Sequence, residues 1–175
     1  MKKRYLDLME TTLSAYSRHH INRYFDDVKK NGVTEHGFPR LTANIGILIA
    51  HGRRTDLKPL FEEMMDLCCN AFLKPKGPQT GNDFSVKEIV FCVVAIEKAS
   101  IFPKDKTAYW RSLLKQIQYD KCYNIYAETE HTLQYNWALF SAVSEFMRQY
   151  IGIADTSRFV DIQIVDFRTF YADSR

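Results

Sequence analysis

The sequence predicts an all-α protein built of antiparallel helical hairpins, and three observations carry that expectation. Apolar residues recur at spacings of three and four along most of the chain, the pattern that lines one face of a helix. Glycines stand where these patterns stop, at Gly32, Gly52 and Gly152, and glycine closes helices by taking left-handed backbone. No pair of alternating apolar runs flanks a tight turn, so no β-hairpin is signalled.

The first segment, residues 4 to 30, carries Leu6, Met9 and Leu13, then Ile21, Tyr24, Phe25 and Val28. Ser17, beside Arg18, His19 and His20, is expected to divide it into two helices, and Asn31-Gly32 to end it. Residues 32 to 39 (GVTEHGFP) read as a loop. Pro39 fits the first turn of a helix over residues 40 to 51, where its missing amide hydrogen does no harm. Gly52 closes that helix, and Thr55 or Asp56 can cap the next, whose Leu57, Leu60, Phe61, Met64, Met65, Leu67, Cys68 and Phe72 predict packing on several sides.

The stretch KPKGPQTGND, residues 74 to 83, is the clearest break, dense in Pro and Gly. Ser85 and Glu88 have the spacing of a capping box. The helix they would open runs to about residue 101 through Val86, Ile89, Val90, Val93, Val94 and Ile96, and Pro103 ends it. Asp105 can cap a helix through Tyr109, Trp110, Leu113, Leu114 and Ile117 to Tyr119. After a tyrosine-bearing stretch at 122 to 132, a helix over about 133 to 150 ends at Gly152. A last helix, about 157 to 171, is apolar on two faces.

Seven or eight helices with short connections make consecutive helices antiparallel neighbours. A layered ring of hairpins, part of an (α/α) toroid, fits best; an irregular helical bundle is the alternative. Residues 1 to 175 read as a single all-helical domain. Because no element after YADSR covers the last helix, the expectation is either the N-terminal portion of a larger toroid domain or a partner chain seated on that helix.

Composition excludes several classes. A hydrophobic fraction of 46% and a charged fraction of 26% suit an ordinary folded domain. The formal net charge of +3, with signs interspersed, gives no electrostatic footprint for nucleic acid. No apolar run reaches the roughly 20 residues that span a bilayer, and MKKRYLDLMETT shows no signal peptide. Cys68, Cys69, Cys92 and Cys122 lack metal-ligand spacing and read as buried free thiols, so a cytoplasmic location is expected. No metal ligand set such as H-E-x-x-H is present, no P-loop, no Rossmann fingerprint and no nucleophile elbow, and no cofactor is expected.

Candidate chemistry gathers in HTLQYNWALFSAVSEFMRQYIG, residues 131 to 152. On a helix, Glu128, His131 and Tyr135 share a face. A histidine oriented by a carboxylate beside a tyrosine can move protons. In a lyase acting on uronic acids, a Tyr or His removes the proton beside the carboxylate while a group such as Asn136 neutralises that carboxylate. His131, Tyr135 and Asn136 are therefore the catalytic candidates, and Trp137 a ring on which a sugar can lie. The plain alternative is that Tyr135 and Asn136 cap and pack the helix start. In the loop TEHGFPR, Glu35, His36 and Arg40 are candidates for substrate binding at the rim of a central cavity, or are simply solvated. Glu35 with Glu128 or Glu130 could form the carboxylate pair of a glycoside hydrolase, which needs a separation of roughly 5 to 9.5 Å.

The segment YNWALFSAVSEFMRQYIG, followed by DTSRFVDIQIVDFRTFYADSR, resembles a large bacterial family whose fold is similar to the α/α toroids of heparinase II/III-type polysaccharide lyases and unsaturated-glucuronyl hydrolases. Asn136, Trp137 and Phe140 match that family's N-W-x-x-F helix start, and Phe170-Tyr171 resembles the aromatic end of its second helix. The likeness is loose over residues 34 to 175 and clearer over 135 to 171. It implies a half-toroid and a polysaccharide lyase or glycoside hydrolase acting on uronic-acid-containing glycans, with a glycan or oligosaccharide as partner. The competing expectation is a non-catalytic helical module for protein interaction or oligomerisation. The two differ in whether His131, Tyr135 and Asn136 share a cleft with Glu35, His36 and Arg40.

Overall fold

The computed structural model describes residues 1–16, 18–74, 81–123 and 135–155, with the backbone alone at 18 and 135–138. These residues are all-helical, without a strand among them. The helices are α1 (Lys2–Ser14), α2 (Arg18–Asn31), α3 (Gly37–Ala50), α4 (Lys58–Ala71), α5 (Asn82–Ala99), α6 (Lys104–Lys115), α7 (Tyr119–Cys122) and α8 (Tyr135–Tyr150), with a 3-10 turn at Thr55–Leu57 before α4. The expected last helix, 157 to 171, lies outside the described residues.

Alternate helices are neighbours. The most extensive packing joins α3 to α5 and α5 to α8, and α1 lies against α3. On the other side α2 packs on α4 and α4 on α6, while α3–α4 and α5–α6 contacts close the two rows together. Ring contacts give the direction within the first row. His36, Phe84 and Phe140 follow one another near the starts of α3, α5 and α8, and Ile47, Phe91 and Met147 share a cleft further along the same helices. The three therefore run parallel, and α4 and α6 carry the chain back between them.

The helix ends follow local chemistry where the sequence supplies it. Gly32, Gly52 and Gly152 have φ of 75°, 72° and 73°, the left-handed backbone that closes α2, α3 and α8. Behind two of them the next amide reaches back to the helix, Arg53 N to Leu48 O at 2.9 Å and Ile153 N to Arg148 O at 2.9 Å. The break near Ser17 is present: α1 stops at Ser14, whose hydroxyl donates to the Thr11 carbonyl at 2.7 Å.

Four starts differ from expectation, and the first is α3, which opens at Gly37, inside the expected loop 32 to 39. α5 begins at Asn82 rather than behind Ser85, because Gly81 N bonds Val33 O at 2.8 Å and anchors the chain earlier. Ser85 then lies inside the first turn and donates to Gly81 O at 2.6 Å, while Glu88 reaches across to Arg40. Thr55 and Asp56 form the 3-10 turn instead of a cap, with Asp56 held by Arg54. α6 opens at Lys104, and Asp105 accepts only its neighbour's amide, Lys106 N, at 2.9 Å. That helix also stops at Lys115, short of Tyr119.

The core lies between the two rows. Phe38, Ile45, Leu48 and Ile49 of α3, Phe61, Met64 and Met65 of α4, and Val86, Ile89, Val90, Val93 and Ile96 of α5 are fully buried. Phe61, Phe102 and Trp110 close it toward α6, with ring centroids 5.5 to 5.8 Å apart. Gly46 lets α3 approach closely: a Cβ there would stand 2.3 Å from Cys92 Sγ and 2.5 Å from a Phe61 ring carbon. All four cysteines are buried free thiols, as expected. Burial pushes Cys68 up to about 12 and raises the other three as well. No helix among the described residues is long and apolar enough to cross a membrane.

Candidate functional site

The parallel row brings the starts of α3, α5 and α8 to one end of the molecule. The His36 ring is 5.7 Å from Phe84, and Phe84 is 4.8 Å from Phe140. Lys87 stretches over Phe140, its Nζ 4.9 Å from the ring centroid, and donates to Phe84 O at 2.9 Å. Beneath this end a buried polar set fastens α8 to α5. Ser141 donates to Asp83 Oδ1 at 2.6 Å, Ser144 to Asp83 O at 3.3 Å, and the Lys87 amide to Ser144 Oγ at 3.1 Å. These bonds satisfy groups that would otherwise carry a desolvation cost.

Running from that end along α3, α5 and α8 is a cleft of about 410 Å³. Ala43, Ile47, Phe91, Val143 and Met147 form its apolar lining, with Phe91 53% exposed. Arg40, Lys87 and Glu88 form its charged edge. Arg40 Nε and Nη2 both donate to Glu88 Oε1 at 3.2 Å, and Lys87 Nζ donates to the same oxygen at 3.3 Å. Glu88 Oε2 is buried without a hydrogen-bond partner. The carboxylate thus gathers two cations on one oxygen and leaves the other unused. The Arg40 side chain is half-exposed, which keeps its pairing energy modest.

The residues singled out in the sequence divide among three places. Arg40 lines this cleft. His36 is exposed at its head, against Phe84. Glu35 instead lines a separate groove between α1 and α2, among the described residues a different cavity from that of Arg40. Tyr135, Asn136 and Trp137 occupy the first turn of α8, and their side chains lie outside the described residues. His131, Glu128 and Glu130 lie outside them too. Among the described residues no group of three or more His, Cys, Asp or Glu side chains is placed to hold a metal ion.

Sequence reasoning missed Lys87, Phe91 and the fastening by Asp83, Ser141 and Ser144. Polar residues inside the apolar runs of α5 and α8 are the one local signal that could have pointed to the last three. The fold and the site define an all-helical, two-row protein with an aromatic and ionic cleft along its parallel row. No protein-family model, curated protein or solved structure matches the chain.

Proposed function

We propose that the chain recognises oligosaccharides containing uronic acids in the cleft across α3, α5 and α8, and acts on them as a polysaccharide lyase or glycoside hydrolase. The observation that carries the reading is the edge of the cleft, where Arg40, Lys87 and Glu88 stand beside the exposed ring of Phe91. A guanidinium and an ammonium suit a uronate carboxylate. An aromatic face suits the apolar face of a pyranose. A ligand that displaces the half-exposed Arg40 side chain frees Glu88 Oε1 to accept from a sugar hydroxyl. The helix starts of the parallel row also favour negative charge at that end.

The alternation of neighbouring helices in two rows agrees with a toroid of hairpins, and the resemblance at Asn136, Trp137 and Phe140 points to the same glycans. In this reading Tyr135 and His131 move the proton beside the uronate, Asn136 neutralises its carboxylate, and Trp137 and His36 flank the sugar. Calorimetric titration with an oligoglucuronate tests the binding. Arg40→Ala and Phe91→Ala should each weaken it by tenfold or more; unchanged affinity in both would remove the cleft from the account. Ultraviolet absorbance of an unsaturated uronate product would mark a lyase, and new reducing ends without that absorbance a hydrolase.

A second reading, a module for protein interaction or oligomerisation, draws on exposed Leu139, Val143 and Tyr150 along α8. It requires a molecular mass that rises with concentration in sedimentation equilibrium; a monomer at all concentrations counts against self-association.

A further inference from the structure

A second cavity lies away from the cleft. The end of α1 and the length of α2 enclose an open groove of about 930 Å³. Two tyrosines stand in it, Tyr16 and Tyr24, with ring centroids 6.5 Å apart and planes at 40°. Tyr24 is seated by its surroundings: its ring is 6.3 Å from Phe38, and its Oη would be 3.2 Å from a Cβ at position 37, where the chain has glycine. Tyr16 is the more exposed of the two.

The remaining walls carry both signs of charge. Arg23 and Lys30 supply donors, Asp26 and Glu35 acceptors, and all four are exposed. Asp27 is already committed, accepting from Asn31 Nδ2 at 2.7 Å and Thr34 Oγ1 at 3.2 Å. The Tyr24 hydroxyl, protonated at neutral pH like any phenol, is a donor, and burial, then Tyr16 and Glu35, raise its pKa further.

A strongly anionic ligand would meet Asp26 and Glu35, and a strongly cationic one Arg23 and Lys30. A polyhydroxylated neutral ligand uses all of them, because each hydroxyl both donates and accepts, and its C–H face can lie on a tyrosine ring. We infer that the groove between α1 and α2 binds a neutral saccharide unit on Tyr16 and Tyr24. This site is separate from the α3–α5–α8 cleft and stands whether or not that cleft binds uronates.

The test is titration of the full chain with cellobiose, maltose and xylobiose, followed by amide chemical shifts. At least one disaccharide should shift the amides of Tyr16, Tyr24 and Glu35. Tyr16→Ala, at an exposed position that leaves Tyr24 on Phe38, should weaken that binding roughly three- to tenfold, the scale of one aromatic contact. Glu35→Gln should weaken it less, and Arg40→Ala should leave it unchanged. No shift at these amides with any of the three sugars would overturn the inference. So would equal binding by the Tyr16→Ala chain, or equal shifts there with glucuronate, which would deny a preference for neutral sugars.

Discussion

Replacing Arg148 by methionine should strongly destabilise the protein. The Arg148 side chain is buried, with the residue 3% exposed, and its guanidinium is fully engaged. Its Nε donates to Leu114 O at 3.1 Å, and its Nη2 to Lys115 O at 3.3 Å and Ile117 O at 2.9 Å. Leu114 and Lys115 end α6, where helix geometry leaves carbonyls without partners, and Ile117 follows just beyond the helix. Nη1 donates to Glu145 Oε1 at 2.6 Å, and the same oxygen accepts the buried Tyr123 hydroxyl at 2.7 Å. Methionine keeps the apolar stem but strips Glu145 of its cation and the three carbonyls of their donor. Breaking a buried, hydrogen-bonded ion pair costs about 3–5 kcal/mol. For a chain of this length that lowers Tm by roughly 6–20 °C, at ~2–4 °C per kcal/mol. Urea denaturation followed by circular dichroism measures it. Adding Glu145→Gln should recover part of the loss, because the stranded charge is gone. A loss below about 1 kcal/mol for Arg148→Met would refute the claim that this guanidinium caps α6, being no more than an exposed ion pair yields.

The remaining predictions concern the core. Gly46→Ala should cost about 1–3 kcal/mol by overpacking, since its Cβ would fall 2.3 Å from Cys92 Sγ; adding Cys92→Ala should return part of that in the same denaturation assay. The four buried thiols should react with a thiol reagent far more slowly in the native chain than in denaturant. Their raised values also set a pH dependence. The unfolded thiols lose protons near the ordinary value of 9.0, while folded Cys68 holds its proton up to about 12. The unfolded chain then binds fewer protons, so stability should fall as pH rises above 9. Flat stability from pH 8 to 10 would contradict the burial of these groups.

Much of the fold was legible because its signals are local. Gly32, Gly52 and Gly152 end helices where the sequence puts them, since the left-handed conformation they adopt is a property of the residue. The apolar content of α4 announced its burial in the same way. The capping box at Ser85 and Glu88 shows the opposite case. Its spacing is right, yet Gly81 bonds Val33 and Glu88 bonds Arg40, so contacts some 48 residues apart override the local pattern. Nothing local marks Arg148 as buried, because the carbonyls it binds lie 31 to 34 residues upstream. The candidate site divides along the same line. Arg40 could be picked out by residue type, whereas the place of Glu35 in another groove depends on how α1 and α2 lie against the row.

The central claim is that the cleft across α3, α5 and α8 selects uronate. The most direct measurement is a paired calorimetric titration of the same chain with an oligoglucuronate and with its carboxyl-reduced counterpart. The account predicts binding of the first, weakened tenfold or more in the second, with the difference abolished by Arg40→Ala. Equal affinity for the two sugars, or a preference that survives Arg40→Ala, would contradict it.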